Sequence, residues 1–139
     1  MAILLGAVAA VVAAAFPSMA QEATSISMTA NVRHAKVGEL VTFTSVVTNT
    51  DAGDTYDNLN PPFSALIVGL DIVEVTCDQG LGPDGYSCEY GAATGNQSYT
   101  TTTVARVLGT QGKLASLTRC VYPGNDCATV SVRVIGRRP

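Results

Sequence analysis

The chain has 139 residues, a net charge of −3 and 47% hydrophobic but only 14% charged residues, a balance too apolar for a disordered segment. This length suits one domain and leaves no room for a nucleotide-binding domain joined to a substrate domain. The acidic charge balance argues against binding to nucleic acid through its phosphates, and the absence of Trp and the 6% aromatic share argue against stacking on bases.

The first twenty residues predict a secretory signal peptide. Residues 2–16 are all apolar or Gly, Pro17 ends the run, and Ser18 and Ala20 occupy the −3 and −1 positions of a cleavage site. The apolar run is shorter than the roughly 20 residues of a membrane-spanning helix. No Lys or Arg precedes Arg33, which is unusual for a signal peptide. We expect residues 21–139 to form one exported domain that is secreted, periplasmic or held at the cell surface, with membrane contact only through the transient signal.

The rest of the chain is dominated by a period of two, which is typical of half-buried strands. Apolar residues alternate with polar ones over 25–33, and a second strand at 40–48 places Val41, Phe43 and Val47 on one side. Pro61 and Pro62 cannot donate to a ladder, so 56–60 is predicted as a short edge strand or a loop, and residues 66–69 are predicted as a loop or bulge. The further predicted strands are 70–77, its hairpin partner 86–90, 97–107, 115–121 and 127–135. Short strands between turn clusters, without a helical period, predict a β-sandwich or barrel.

Four cysteines follow the signal segment, and export would place them in an oxidising compartment, so we expect disulfides. Three pairings are possible. We favour Cys77 with Cys88 and Cys120 with Cys127, because each pair flanks a stretch rich in Gly, Pro, Asn and Asp and would staple a hairpin. The spacings lack the short Cys-x-x-Cys knuckle of a zinc site, and nothing in them supports a redox enzyme.

Several short strings resemble a known family. They are the segment 35–44 (AKVGELVTFT), the segment 47–50 (VTNT), a cysteine pair around a Gly-rich hairpin, and the segment 128–132 (ATVSV). Together they resemble the bacterial extracellular repeat called domain of unknown function eleven, over roughly the whole mature chain. The resemblance implies an immunoglobulin-like β-sandwich and carries no catalytic residue. With the strands counted from the alternation, we expect an immunoglobulin-like β-sandwich of about seven antiparallel strands. The chain departs from the family at 61–69, where an Asp-x-Leu-Pro-x-Gly stretch is usual, and in its second cysteine pair.

Acidic residues offer two candidate sites. Asp51, Asp54 and Asp57 cluster in one turn region and supply the hard oxygen ligands that Ca²⁺ requires, although a solvated turn is the favoured interpretation. Paired-carboxylate catalysis would need acids such as Glu74 and Glu89, but acids on β-strands usually mark the wet face.

The single His34 has no nucleophile-elbow motif to accompany it. We therefore predict no catalytic site, no cofactor and no resident metal.

The sequence therefore predicts a non-enzymatic structural, adhesive or accessory module that contacts an unidentified protein or envelope component. Tyr56, Phe63, Tyr86 and Tyr90 are the candidate contact residues, on loops or at an exposed strand edge. The alternative is a secreted ligand-binding or inhibitor-type sandwich with an inter-sheet pocket or a calcium loop.

Charge is distributed unevenly along the sequence. Residues 37–105 hold nine acids and no Lys or Arg, whereas residues 106–139 hold six bases and one acid. This distribution favours head-to-tail contact between molecules, unless strand pairing interleaves the charges.

Overall fold

The computed structural model describes residues 24–50, 62–81, 88, 92–121 and 126–136. This part of the chain forms eight β-strands. In chain order they are β1 (Thr24–Ala30), β2 (His34–Lys36), β3 (Leu40–Asn49), β4 (Phe63–Val68), β5 (Leu70–Cys77), β6 (Ser98–Val107), β7 (Leu114–Val121) and β8 (Asp126–Ile135).

The strands build two four-stranded sheets that pack face to face. One sheet has the order β1-β3-β6-β5 and the other the order β2-β8-β7-β4. All neighbours are antiparallel except β2 and β8, which run parallel. The predicted all-β sandwich is thus confirmed, whereas a wholly antiparallel arrangement is wrong for β2.

Every second side chain along the strands points inward, and these side chains fill the space between the sheets, as the sequence predicts. Val41, Phe43 and Val47 on β3 are buried, and so are Val132 and Val134 on β8, while their strand neighbours are less buried or face solvent. Two apolar clusters result. The larger contains Phe43 and Leu117 with eight other buried residues, and the smaller contains Val47, Cys88, Ala93, Tyr99 and Val121.

The strand predicted at 25–33 ends early, at Ala30, and the chain then changes sheet. Asn31 interrupts it, because its Oδ1 accepts the Thr42 N–H at 2.9 Å and its own N–H donates to the Thr42 carbonyl oxygen at 3.0 Å. The chain then crosses at Val32 and Arg33 to the second sheet, where β2 lies beside β8. Alternation alone does not reveal this break, since the apolar pattern continues through Val32.

The loop or bulge predicted at 66–69 is also wrong for most of its length, because residues 63–68 form β4 beside β7. Only Gly69 separates β4 from β5, and it has a φ of +62°. This left-handed conformation suits Gly. It turns the chain from one sheet to the other, and Gly69 oxygen accepts the Leu108 and Gly109 N–H groups at 2.9 and 3.1 Å.

Both favoured disulfides are confirmed. Cys120 and Cys127 are register partners on β7 and β8 with Cα atoms 4.1 Å apart, so their bond staples that hairpin. Cys77 ends β5 and joins the buried Cys88, with a Cα separation of 5.6 Å. The ladder partner of β5 is β6. Of the hairpin partner predicted at 86–90 only residue 88 is described, and it bridges Leu81. The predicted signal segment and the strand at 56–60 lie outside the described residues.

Candidate functional site

A cleft opens at the edge of the sandwich where β1 leaves one sheet and β2 enters the other. β2 pairs only with residues 133–135 of β8, so the preceding edge of β8 remains open beside β1 in the described part of the chain. The cleft at this opening has a volume of about 550 Å³. It is lined by Thr29, Ala30, Val32, Arg33, His34, Leu114, Val130, Ser131 and Arg133.

Strand pairing sets the positions of the cationic side chains. Arg33 carbonyl oxygen accepts the Arg133 N–H at 2.9 Å, which fixes the crossing segment against β8. Arg133 on β8 has two register partners, His34 on β2 at one side and Leu114 on β7 at the other. Register partners place their side chains on the same face of a sheet, so an imidazole, a guanidinium and a leucine lie side by side.

The cleft is electropositive. Arg33, His34 and Arg133 are all exposed, and none of the described lining residues is acidic. Within the described ranges, neither the Arg33 nor the Arg133 guanidinium makes a hydrogen bond or ion pair. Guanidinium groups match carboxylates with two parallel hydrogen bonds, so two such groups at one cleft suit an anionic ligand.

Apolar surface adjoins these charges. Leu114 is 51% exposed, Val32 is also exposed, and Ala30 and Val130 are half-buried. An apolar side chain of a ligand would gain roughly 25 cal/mol for each Å² that it removes from water there. The arrangement therefore fits a ligand that carries a carboxylate next to an apolar group.

A second cluster of polar side chains lies in the interior. Arg119 is only 5% exposed; its Nη1 donates to Ser45 Oγ at 3.2 Å and its Nη2 donates to Thr103 Oγ1 at 2.8 Å. Ser45 Oγ lies 3.3 Å from Thr101 carbonyl oxygen, and Thr101 Oγ1 is 3.1 Å from Cys88 Sγ. Since Arg119 belongs to β7 and its partners to β3 and β6, these bonds join the two sheets. Their burial makes this cluster a structural element.

The sequence-based candidates fall in several places. His34 lines the cleft, and so do Arg33 and Arg133, which the sequence alone does not single out. Phe63 begins β4, where it is the register partner of Cys120. The predicted calcium-loop and aromatic residues outside the described ranges are Asp51, Asp54, Tyr56, Asp57, Tyr86 and Tyr90, and Glu89 lies there as well.

The alternation of inward and outward positions along β7 is enough to place Arg119 in the interior. Arg119 occupies an inner position together with Ala115, Leu117 and Val121, so alternation along β7 is a signal that could have located it. No comparable signal places Arg133 beside His34, because their pairing joins strands a hundred residues apart.

Comparison with protein-family models and with curated proteins finds no match. In the described residues, no three His, Cys, Asp or Glu side chains are grouped so that they could hold a metal ion. No helix in the same ranges is long and apolar enough to cross a bilayer.

Proposed function

We propose that this chain is an exported, non-enzymatic interaction module with an immunoglobulin-like fold, and that it binds an acidic segment of a protein partner in the basic cleft. Such a module serves a structural, adhesive or accessory purpose in the bacterial envelope or the extracellular space. The observation that carries the proposal is the juxtaposition of Arg33, His34 and Arg133 beside exposed apolar surface, with no acidic residue among the described lining.

Strand order supports the immunoglobulin-like fold. A constant-type immunoglobulin domain has strands A-B-E-D in one sheet and C-F-G in the other. In chain order, β1, β3, β4, β5, β6, β7 and β8 take the letters A to G, and the two observed sheets then have both of these orders. β2 is an additional short strand beside G. The resemblance to the extracellular repeat family implies the same fold and belongs to this proposal.

The two disulfides support export, because such bonds persist in oxidising compartments and are rare in the cytosol. The apolar segment that precedes residue 21 agrees with that location.

An acidic protein segment fits the cleft better than nucleic acid does. The chain as a whole has a net charge of −3, which would oppose a polyanion that contacts more than this cleft. Because Val32 and Leu114 are exposed apolar residues, a ligand that fits the cleft carries an apolar side chain as well as a negative charge. Alternating acidic and apolar residues provide both within one extended peptide.

A defined peptide tests this function. A fluorescent, end-capped peptide of alternating Glu and Leu is titrated with the protein, and its anisotropy is compared with that of a Gln and Leu analogue. We expect Arg133→Glu to weaken binding of the Glu peptide at least about tenfold, because it replaces a favourable charge contact by a repulsive one. Arg106→Glu is the matched control, since it makes the same charge change at an exposed position on β6 and outside the cleft lining.

Equal effects of the two substitutions would refute the cleft as the binding site. Equal affinity for the Glu and Gln peptides would refute the requirement for an anionic ligand.

A further inference from the structure

The basic cleft lies along an open edge of β8. Adjacent residues of a strand point to opposite faces of its sheet, yet Val130 and Ser131 of β8 both line the cleft. A cleft that is lined from both faces of a strand lies at the edge of that strand. β2 covers this edge only from Arg133 onwards, so within the described ranges the edge is open at residues 129–131.

The backbone at this edge has unpaired hydrogen-bonding groups. Val134 N–H donates to Lys113 carbonyl oxygen at 2.9 Å, so the backbone groups of Val134 face the β7 side. Because these groups alternate in direction along a strand, those of Arg133, Ser131 and Thr129 point away from β7. The bond from Arg133 N–H to the segment before β2 agrees with this alternation. In the part of the chain that the structure describes, no backbone group pairs with Ser131 or Thr129 on this side.

Other backbone donors at neighbouring edges are capped by carboxylates. Asp126 Oδ2 accepts the Ile26 N–H of β1 at 3.2 Å, and Glu39 Oε2 accepts the Lys36 N–H of β2 at 2.8 Å. Such caps occupy donors that an added strand would need. The described residues supply no cap of this kind at 129–131, so this part of β8 remains open to an added strand.

The inner face of β8 is also incompletely covered at this point. Val134, which has a register partner in β2, is 1% exposed, whereas Val130 on the same face is half-buried. Ala30 of β1, which packs against the same apolar cluster and lines the cleft, is half-buried as well. A strand beside residues 129–131 would cover Val130 as β2 covers Val134, and this burial of apolar surface would favour binding.

We propose that the acidic segment binds as a β-strand that adds to the edge of β8 in line with β2. This inference rests on the function proposed for the cleft and names the form in which the cleft takes its partner. Charge complementarity with Arg33 and Arg133 selects an acidic segment. Side chains of an added strand alternate between the two faces, so its apolar residues face Val130 and its acidic residues lie on the face of Arg133. Its backbone bonds to Ser131 and Thr129.

Methylation of the peptide backbone tests this mode of binding. Two variants of the fluorescent Glu and Leu peptide are compared with the parent by anisotropy, one N-methylated at every Leu and the other at every Glu. Both variants keep all side chains and the charge. In an added strand only one kind of residue presents its N–H groups to β8, and the direction of pairing decides which kind. One variant should therefore lose at least about tenfold in affinity while the other binds like the parent.

Ser131→Pro tests the same edge from the protein side. Proline removes the Ser131 N–H, and an edge strand tolerates proline where that N–H faces away from its neighbour. We expect the melting temperature to stay close to that of the wild type and the affinity for the parent peptide to fall at least about tenfold. Ser131→Ala is the matched control, since it removes the hydroxyl group, keeps the N–H, and should bind like the wild type.

The outcomes separate this inference from the proposed function. Equal affinities of the two methylated peptides would overturn the added strand and leave the cleft as a site for acidic peptides. Unchanged binding to Ser131→Pro would also overturn it, because the peptide would then lie away from this edge. Failure of the parent peptide to bind the wild type would remove both proposals. If Ser131→Pro does not fold, the methylated peptides with the wild-type protein decide the question.

Discussion

Thr103→Val tests whether the interior hydrogen bonds of Arg119 hold the two sheets together. Valine nearly matches threonine in shape, so the change replaces the hydroxyl acceptor by a methyl group and leaves the Arg119 donor without this partner. A hydrogen bond to a charged group contributes about 1.5 to 3 kcal/mol, and the 2.8 Å Nη2 to Oγ1 bond is of this kind. The added methyl group returns up to about 0.8 kcal/mol by burial. We expect the free energy of unfolding to fall by about 1 to 2 kcal/mol.

Urea unfolding measures this change as a shift of the midpoint at an unchanged slope. The control is Thr102→Val, because Thr102 is the next residue on β6 and is only half-buried; its effect should stay within about 0.5 kcal/mol. Arg119→Met completes a double-mutant cycle with Thr103→Val, which should show a coupling of about 1 kcal/mol or more. A Thr103→Val protein as stable as the wild type, or a cycle without coupling, would refute this account of the interior.

Other changes address the covalent and backbone elements. Replacing both cysteines of the Cys77–Cys88 bond by Ser should lower the free energy of unfolding by about 2.8 kcal/mol, because the sequence separation is 11. The same change at Cys120–Cys127, with a separation of 7, should lower it by about 2.4 kcal/mol. Thermal unfolding that ranks the two bonds in reverse would contradict this. Gly69→Ala should cost more than Gly112→Ala, because both have positive φ but only at Gly69 would a Cβ lie 3.1 Å from neighbouring backbone. Equal melting temperatures for these two variants would show that the close approach is unimportant. Millimolar Ca²⁺ should leave the melting temperature unchanged, and a rise of several degrees would instead favour a calcium loop at residues 51–57.

The inner faces of the sandwich could be predicted because they depend on local alternation. Val130, Val132 and Val134 alternate with polar residues along β8, and the buried set follows this pattern. The disulfides could be predicted for a similar reason, since each pair encloses a turn-rich stretch short enough for its ends to meet. Both features are encoded within about a dozen residues.

The transfers of the chain between sheets could not be predicted in this way. The break after Ala30 depends on hydrogen bonds between Asn31 and Thr42, which belongs to a strand that follows later. Gly69 looks like an interruption in the sequence, yet its positive φ is what allows β4 and β5 to follow each other directly in opposite sheets. These are tertiary effects that the period of two does not record.

The cleft combines local and distant residues. Arg33 and His34 are adjacent in the sequence, and an exposed His beside an Arg at a strand end is unremarkable. Arg133 joins them only because β2 pairs parallel to β8. A charged residue at an outward position of a terminal strand gives no sign of the neighbours that sheet pairing will bring to it.

The central claim is that the basic cleft is the contact surface of this molecule. Mapping amide chemical shifts of the isotope-labelled protein during titration with the Glu and Leu peptide tests it most directly. The account predicts that the shifts cluster at residues 29–34, at Leu114 and at residues 130–133. Shifts that centre on β4 and β5 instead, or an unperturbed cleft at saturating peptide, would contradict it.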